Sequence, residues 1–173
     1  MKRLLGKLIL VILGGLFIFL IAGILVRMVR AEEAAEQIRR LPDLAISDIN
    51  DNIFRTDQIK AGPLLITFFH PECDHCRYEI ASLKNSGLLD SSLTVILVSY
   101  AAKSEIRSFM LQEGIVDTAN LHVLHDPDFS ISDLFGAAIL PSNYIYNDSL
   151  SLVRVYKGST RPEAIRKYLN GNE

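Results

Sequence analysis

The 173-residue chain has no tryptophan and only two cysteines. Two cysteines exclude the disulfide framework that staples many small secreted domains. A zinc site built on them would need two further ligands, for which the chain offers only His70, His75, His122 and His125. A basic surface is lacking too. Five of the 18 Lys+Arg (Lys2, Arg3, Lys7, Arg27, Arg30) precede residue 31. The remainder therefore sets 13 cationic residues against all 20 Asp+Glu, a formal charge of −7. An acidic domain without a basic patch argues against nucleic-acid partners.

Charge is absent in a second sense from Leu8 to Val26, an apolar run of 19 residues closed by Arg27 and Arg30. At ~1.5 Å rise per residue such a helix spans about 28 Å, close to the hydrocarbon thickness of a bilayer. A cleaved signal peptide has a shorter apolar core and a small-x-small cleavage site. Val26-Arg27-Met28-Val29-Arg30 offers no such site. Residues 1–30 are therefore expected to be a retained single-pass anchor that contacts the membrane through Leu8–Val26. Lys2, Arg3, Lys7 and the α-amino group favour an inside N-terminus. Residues 31–41 read as a helix-prone charged spacer, and Leu41-Pro42 marks the start of a domain over 42–173, enough for one core.

The chemistry lies between Leu64 and Ile80. An apolar strand-like run, Leu64–Phe69, ends at His70-Pro71, and the pair Cys73-Asp74-His75-Cys76 follows at once. Helical spacing then begins, with Ile80, Leu83 and Leu88 on or near one face. The pair thus sits where a buried strand hands over to a helix N-terminus. Free backbone N–H groups and the positive end of the dipole stabilise a thiolate there. Cys73 is the expected nucleophile. Cys76, one turn into the helix, is the expected buried resolving thiol. A zinc or copper half-site, a short structural disulfide and a pair of inert buried thiols are the competing readings. A disulfide across two intervening residues closes too short a loop to stabilise much.

The rest alternates strand and helix. Ile46–Phe54 reads as a short hairpin turning at Asn50–Asn52. Leu93–Tyr100 is a strand buried on both faces. Lys103–Glu113 reads as an amphipathic helix ended by Gly114. Leu121–His125 is a strand, and Asp126–Phe135 a loop and short helix ended by Gly136. Ser142–Tyr146 and Leu150–Lys157 are strands joined by a turn at Asn147–Ser149. A last helix runs from about Arg161 to Leu169. On a strand, His122 and His125 point to opposite faces, a poor arrangement for a shared metal.

The C-D-H-C pair behind strand Leu64–Phe69, and Glu79 three residues after Cys76, resemble the active-site region of thioredoxin-like proteins of the membrane-anchored TlpA and ResA kind. The resemblance covers about residues 41–173. It implies an α/β three-layer sandwich, a central mixed sheet with helices on both faces, behind the added N-terminal hairpin and one transmembrane helix. It implies a thiol–disulfide oxidoreductase that works through Cys73 and Cys76 with no cofactor beyond their own disulfide. Its partners would be protein thiols and disulfides and a further redox protein that resets the pair. The domain would then lie on the extracytoplasmic side of a bacterial cytoplasmic membrane. The resemblance also makes Pro141 a cis proline packed against the cysteines, with the Leu140 backbone pairing an extended substrate segment. His75 would favour the Cys73 thiolate through its imidazolium. Two departures stand out. Glu72 replaces the aromatic that commonly precedes the first cysteine, and Thr67 replaces the buried acid of cytoplasmic thioredoxins. Proton transfer from Cys76 must then use water or another group such as Glu79. A peroxide-reducing enzyme of the AhpC/TSA kind is the alternative activity, although His70 stands where such enzymes want threonine or serine.

Overall fold

The computed structural model describes residues 2–59, 62–89, 93–116 and 118–169; at 2–13, 27–31, 33 and 34 it describes the backbone alone. The chain forms two compact units, Met1–Glu36 and Gln37–Glu173. The first is carried by helix α1 (Lys2–Arg39), which continues through the expected spacer and ends inside the second unit. Side chains 14–26 of α1 are exposed. Side chains 8–13 of the expected anchor, and Lys2, Arg3, Lys7, Arg27 and Arg30, lie outside the described residues. Among the described residues, no helix is long and apolar enough to cross a membrane.

The second unit is a five-stranded mixed sheet in the order β5-β4-β3-β6-β7, with β3 (Leu64–Phe68) at its centre. Strands β4 (Thr94–Ser99) and β5 (Leu121–His125) extend it in parallel. Strands β6 (Ser142–Tyr146) and β7 (Leu152–Lys157) complete it antiparallel. The near-continuous apolar runs of β3 and β4 are buried on both faces, as a sheet covered on both sides requires. One face receives α2 (Asp74–Asn85), α3 (Lys103–Glu113) and α5 (Pro162–Leu169) through Ile80, Leu83, Ile106, Phe109 and Ile165. The other receives α4 (Ser130–Phe135), the end of α1 and the hairpin β1–β2 through Phe135, Ile38 and Ile46.

Local chemistry sets the boundaries. Gly114 and Gly136 close α3 and α4 at φ 60° and 63°, left-handed values that cost glycine nothing. The hairpin pairs β1 (Ala45–Ser47) with β2 (Ile53–Arg55). The Asp48 carboxylate shapes its turn by accepting the N–H groups of Asn50 and Asn52 at 2.7 and 2.8 Å. Strand β7 starts two residues later than the pattern predicts. Asn147 Oδ1 accepts the N–H groups of Ser149 and Ser151, and Leu150 takes a left-handed φ of 57°, so the turn runs on to Ser151.

Two buried phenols tie the covering elements to the sheet. Tyr144 Oη donates to the Phe135 carbonyl at 2.5 Å and Tyr146 Oη to that of Ile38 at 2.9 Å. The second bond makes Ile38 part of the domain although it lies in the segment expected to be a solvated spacer. Tyr146→Phe strands a buried carbonyl and should cost about 1–2 kcal/mol. The check is a urea titration, in which the midpoint falls while the slope is unchanged.

Candidate active site

Strand β3 ends as Phe69 donates to the Val98 carbonyl, and Pro71 cannot continue the ladder. The chain turns through His70-Pro71-Glu72, with the Cys73 N–H bonded to the His70 carbonyl at 3.0 Å. Cys73 then caps α2. Its backbone is extended at φ −83°, ψ 110°, and its Sγ accepts the Cys76 N–H at 3.3 Å. The sulfur thus takes the place of the Ser, Thr or Asp oxygen that usually satisfies a first-turn donor.

The two cysteines are free and differ in access. Cys73 is half-buried, and Cys76 is 0 % exposed. Burial pushes the Cys76 thiol well above its ordinary range, and the side-chain hydrogen bond with Cys73 adds to this. Asp74 and His75 are exposed in the same first turn. The Leu140–Pro141 peptide is cis, as the resemblance implied. Pro141 is buried, and Leu140 and Cys73 pack on the same apolar cluster.

Behind Cys76 lies a carboxyl that sequence reasoning placed only loosely. Glu79 is 0 % exposed. Its Oε1 accepts from Asn143 Nδ2 at 2.8 Å, and its Oε2 accepts the Thr160 N–H. Burial raises the carboxyl above its ordinary range, while the two N–H donors pull the other way. Its charge in turn helps to hold the Cys76 proton in place. Asn143 Oδ1 accepts from Thr67 Oγ1 at 2.8 Å. Asn143 and Thr160 were not among the residues singled out from the sequence. The signal for Asn143 was there, since asparagine is depleted from strands and this one stands in an apolar strand two residues after Pro141.

The surface around the pair has two characters. On one side His70, Tyr100 and Phe129 form a ring ladder, with centroids 5.0 and 4.5 Å apart. His70 Nδ1 accepts the Glu72 N–H, which fixes the ring against the turn. An open groove of about 600 Å3 runs along α2 past Tyr78, Ser82, Ser159 and Thr160. His122 stacks on Phe54. Among the described residues, no three His, Cys, Asp or Glu side chains cluster so as to hold a metal ion.

The sequence profile of the AhpC/TSA family matches residues 39–155. The thiol–disulfide oxidoreductase ResA of Bacillus subtilis (strain 168) is 23 % identical over 132 residues, which cover 75 % of this chain and 72 % of ResA. Among solved structures, a secreted Mycobacterium tuberculosis disulfide oxidoreductase homologous to E. coli DsbE superposes with a TM-score of 0.65. It is 15 % identical, with 79 % of this chain and 98 % of that one covered. The exposed lipoprotein thioredoxin Etrx1 of Streptococcus pneumoniae TIGR4 gives 0.60 at 17 % identity, covering 75 % and 98 %. These likenesses establish the thioredoxin-like fold.

The raised Glu79 carboxyl has a consequence for stability. Between its ordinary value near 4.5 and its higher folded-state value, the folded protein binds this proton more tightly than the unfolded chain does. Stability from this group is therefore lost as pH rises through that interval. Glu79→Gln removes the dependence. The variant's stability minus that of the wild type should climb as pH rises from about 4.5 and then level off, as read from urea midpoints between pH 4 and 8.

Proposed function

The chain belongs to the AhpC/TSA family, and from that premise we propose that it is a thiol–disulfide oxidoreductase acting on protein thiols and disulfides through Cys73 and Cys76. One observation carries the reading: a half-buried sulfur caps α2 while a fully buried thiol lies one turn behind it. A protein disulfide can reach Cys73 and cannot reach Cys76. The Cys73 thiolate attacks one sulfur of the substrate, a mixed disulfide forms, and the other substrate sulfur leaves and takes a proton from water. Cys76 then gives its proton to Glu79 and attacks Cys73 Sγ. The Cys73–Cys76 bond forms, the mixed bond breaks, and the second substrate sulfur leaves as a thiolate that takes a proton from water. Two electrons pass from the pair to the substrate, and the reverse sequence oxidises a substrate dithiol. In this proposal the Leu140 backbone beside cis-Pro141 pairs with the extended substrate segment, and His75, exposed in the first turn of α2, lines the approach to Cys73.

Two variants separate the roles. Cys73→Ser should lower insulin-disulfide reduction by several orders of magnitude, because no accessible thiolate remains. Cys76→Ser should keep the attack and lose the resolution, so that mixed disulfides accumulate on non-reducing gels after acid quenching. Trapping by Cys73→Ser and not by Cys76→Ser would reverse the assignment. Peroxide turnover without dithiol exchange would move the chain to the peroxide-reducing members of the family. Loss of bound zinc or copper in both variants without any trapping would make the pair a metal site.

The location belongs to the same proposal. The uncharged run Leu8–Val26 lies within one continuous helix, and its residues 14–26 are exposed. Exposed apolar surface on this scale needs a cover, and a bilayer supplies it. The domain then works on the extracytoplasmic side of a bacterial cytoplasmic membrane. Intact-mass measurement of the membrane fraction should find the first 30 residues attached. A soluble domain shortened by about 25–30 residues would mean that the run is a signal peptide.

A further inference from the structure

The sheet beneath the cysteines carries two polar side chains that thiol exchange by itself does not demand. Thr67 on β3 and Asn143 on β6 are register partners, both 0 % exposed. They lie on the face that receives α2, in line with Leu65 and Ile145. An apolar pair would fill the same place with no hydrogen bonds to satisfy. Instead the two form a chain that ends on Glu79: Thr67 Oγ1 donates to Asn143 Oδ1, and Asn143 Nδ2 donates to Glu79 Oε1, each at 2.8 Å.

An amide has a donor end and an acceptor end, so its orientation decides which form of a carboxyl it serves. As observed, the amino end faces Glu79 and serves the carboxylate. Turned over, the carbonyl end accepts from the protonated carboxyl, and Nδ2 then donates to Thr67. A hydroxyl can donate in the first arrangement and accept in the second. Both protonation states of the Glu79 carboxyl therefore find a partner in Asn143, and neither leaves the buried carboxyl unpaired, which would cost about 1–3 kcal/mol. The Thr160 N–H on Oε2 has no acceptor to offer a proton, so the proton is held at Oε1, the oxygen facing Asn143.

We propose that Thr67 and Asn143 are positioning residues that act together as a reversible hydrogen-bond relay, turning over as Glu79 takes up and releases the Cys76 proton. The relay rests on the reading of Glu79 as the group that accepts that proton. Cys76, and Cys73 through it, are the titratable groups coupled to Glu79. From the sheet it meets Asn143, and Thr67 through it, and from the β7–α5 connection the Thr160 N–H.

The first measurement needs no change to the relay. In the full-length reduced protein, carrying 15N in asparagine side chains and 13C in glutamate carboxyls, the Glu79 signal is identified by its loss in Glu79→Gln. The Asn143 side-chain amide should shift with pH at the same midpoint as the Glu79 carboxyl. An amide signal that stays fixed while Glu79 titrates overturns the relay. Thr67→Val, close in shape to threonine, leaves either orientation with one unpaired end. It should lower the urea midpoint on both sides of the Glu79 titration, and Thr67→Ser should restore it. A loss on one side only means a single fixed orientation and also overturns the relay. Asn143→Leu removes the donor that serves the carboxylate. It should raise the Glu79 midpoint by about one pH unit and move the pH profile of thiol release from a Cys73–thionitrobenzoate mixed disulfide upward with it; a profile that stays in place overturns the relay. If Glu79→Gln releases that thiol at the wild-type rate, the proton goes elsewhere and the reading of Glu79 fails. The amide and stability measurements still decide the relay in that case.

Discussion

A carboxyl buried beneath two thiols is the constraint around which this domain is built. Glu79 has no exposure, and an isolated charge in such a place is costly unless donors replace the water it has lost. The donors come from far along the chain. Asn143 is 64 residues away and Thr160 is 81. Forming the site therefore needs the sheet to close through β6 and the β7–α5 connection to fold back across α2. The active-site helix cannot reach its working state as a local element, even though its sequence is that of a capped helix.

That dependence joins fold to chemistry. Strand β3 is central because it pairs with β4 on one edge and β6 on the other. The first pairing sets Phe69 and the turn that delivers Cys73 to the cap of α2. The second sets Thr67 opposite Asn143, which aims the amide at the carboxyl behind Cys76. One strand thus supplies the reactive sulfur from its end and the polar support from its interior. The support reaches the buried sulfur through the charge of Glu79, whose presence raises the energy of a Cys76 thiolate. Access and proton affinity then point the same way in the proposed reaction, with the half-buried sulfur attacking and the buried one, whose proton is held tightly, responding later.

Much of this was legible in the chain. Glycines at positive φ ended α3 and α4 at the expected places, and β5 and β6 fall on the expected residues, because their signals are local: an apolar run and a residue that tolerates a left-handed backbone. The strand-to-helix handover at Pro71–Cys73 was legible for the same reason. The limits of β7 were not. The turn before it depends on Asn147 gathering N–H groups from Ser149 and Ser151 and on Leu150 at positive φ, a conformation that leucine does not announce. Ile38 was hidden in a charged segment, and only the phenol of Tyr146, 108 residues on, shows that its carbonyl belongs to the core.

The buried polar chain was the least legible part, and the reason is register. Thr67 and Asn143 are 76 residues apart, and each taken alone is an ordinary exception in an apolar strand. They become a pair only when β3 and β6 align antiparallel with these two residues opposite, since a slip of one residue would send one of them to the other face. Their shared face is also the one that α2 covers, which places Glu79 within reach of the amide. Thr67 puts a buried hydroxyl where the resemblance to cytoplasmic thioredoxins implies a buried acid. The acid itself is carried on α2, one turn beyond the thiol it serves. The buried acid stands on the helix, and the sheet carries the two groups that reach it in a chain.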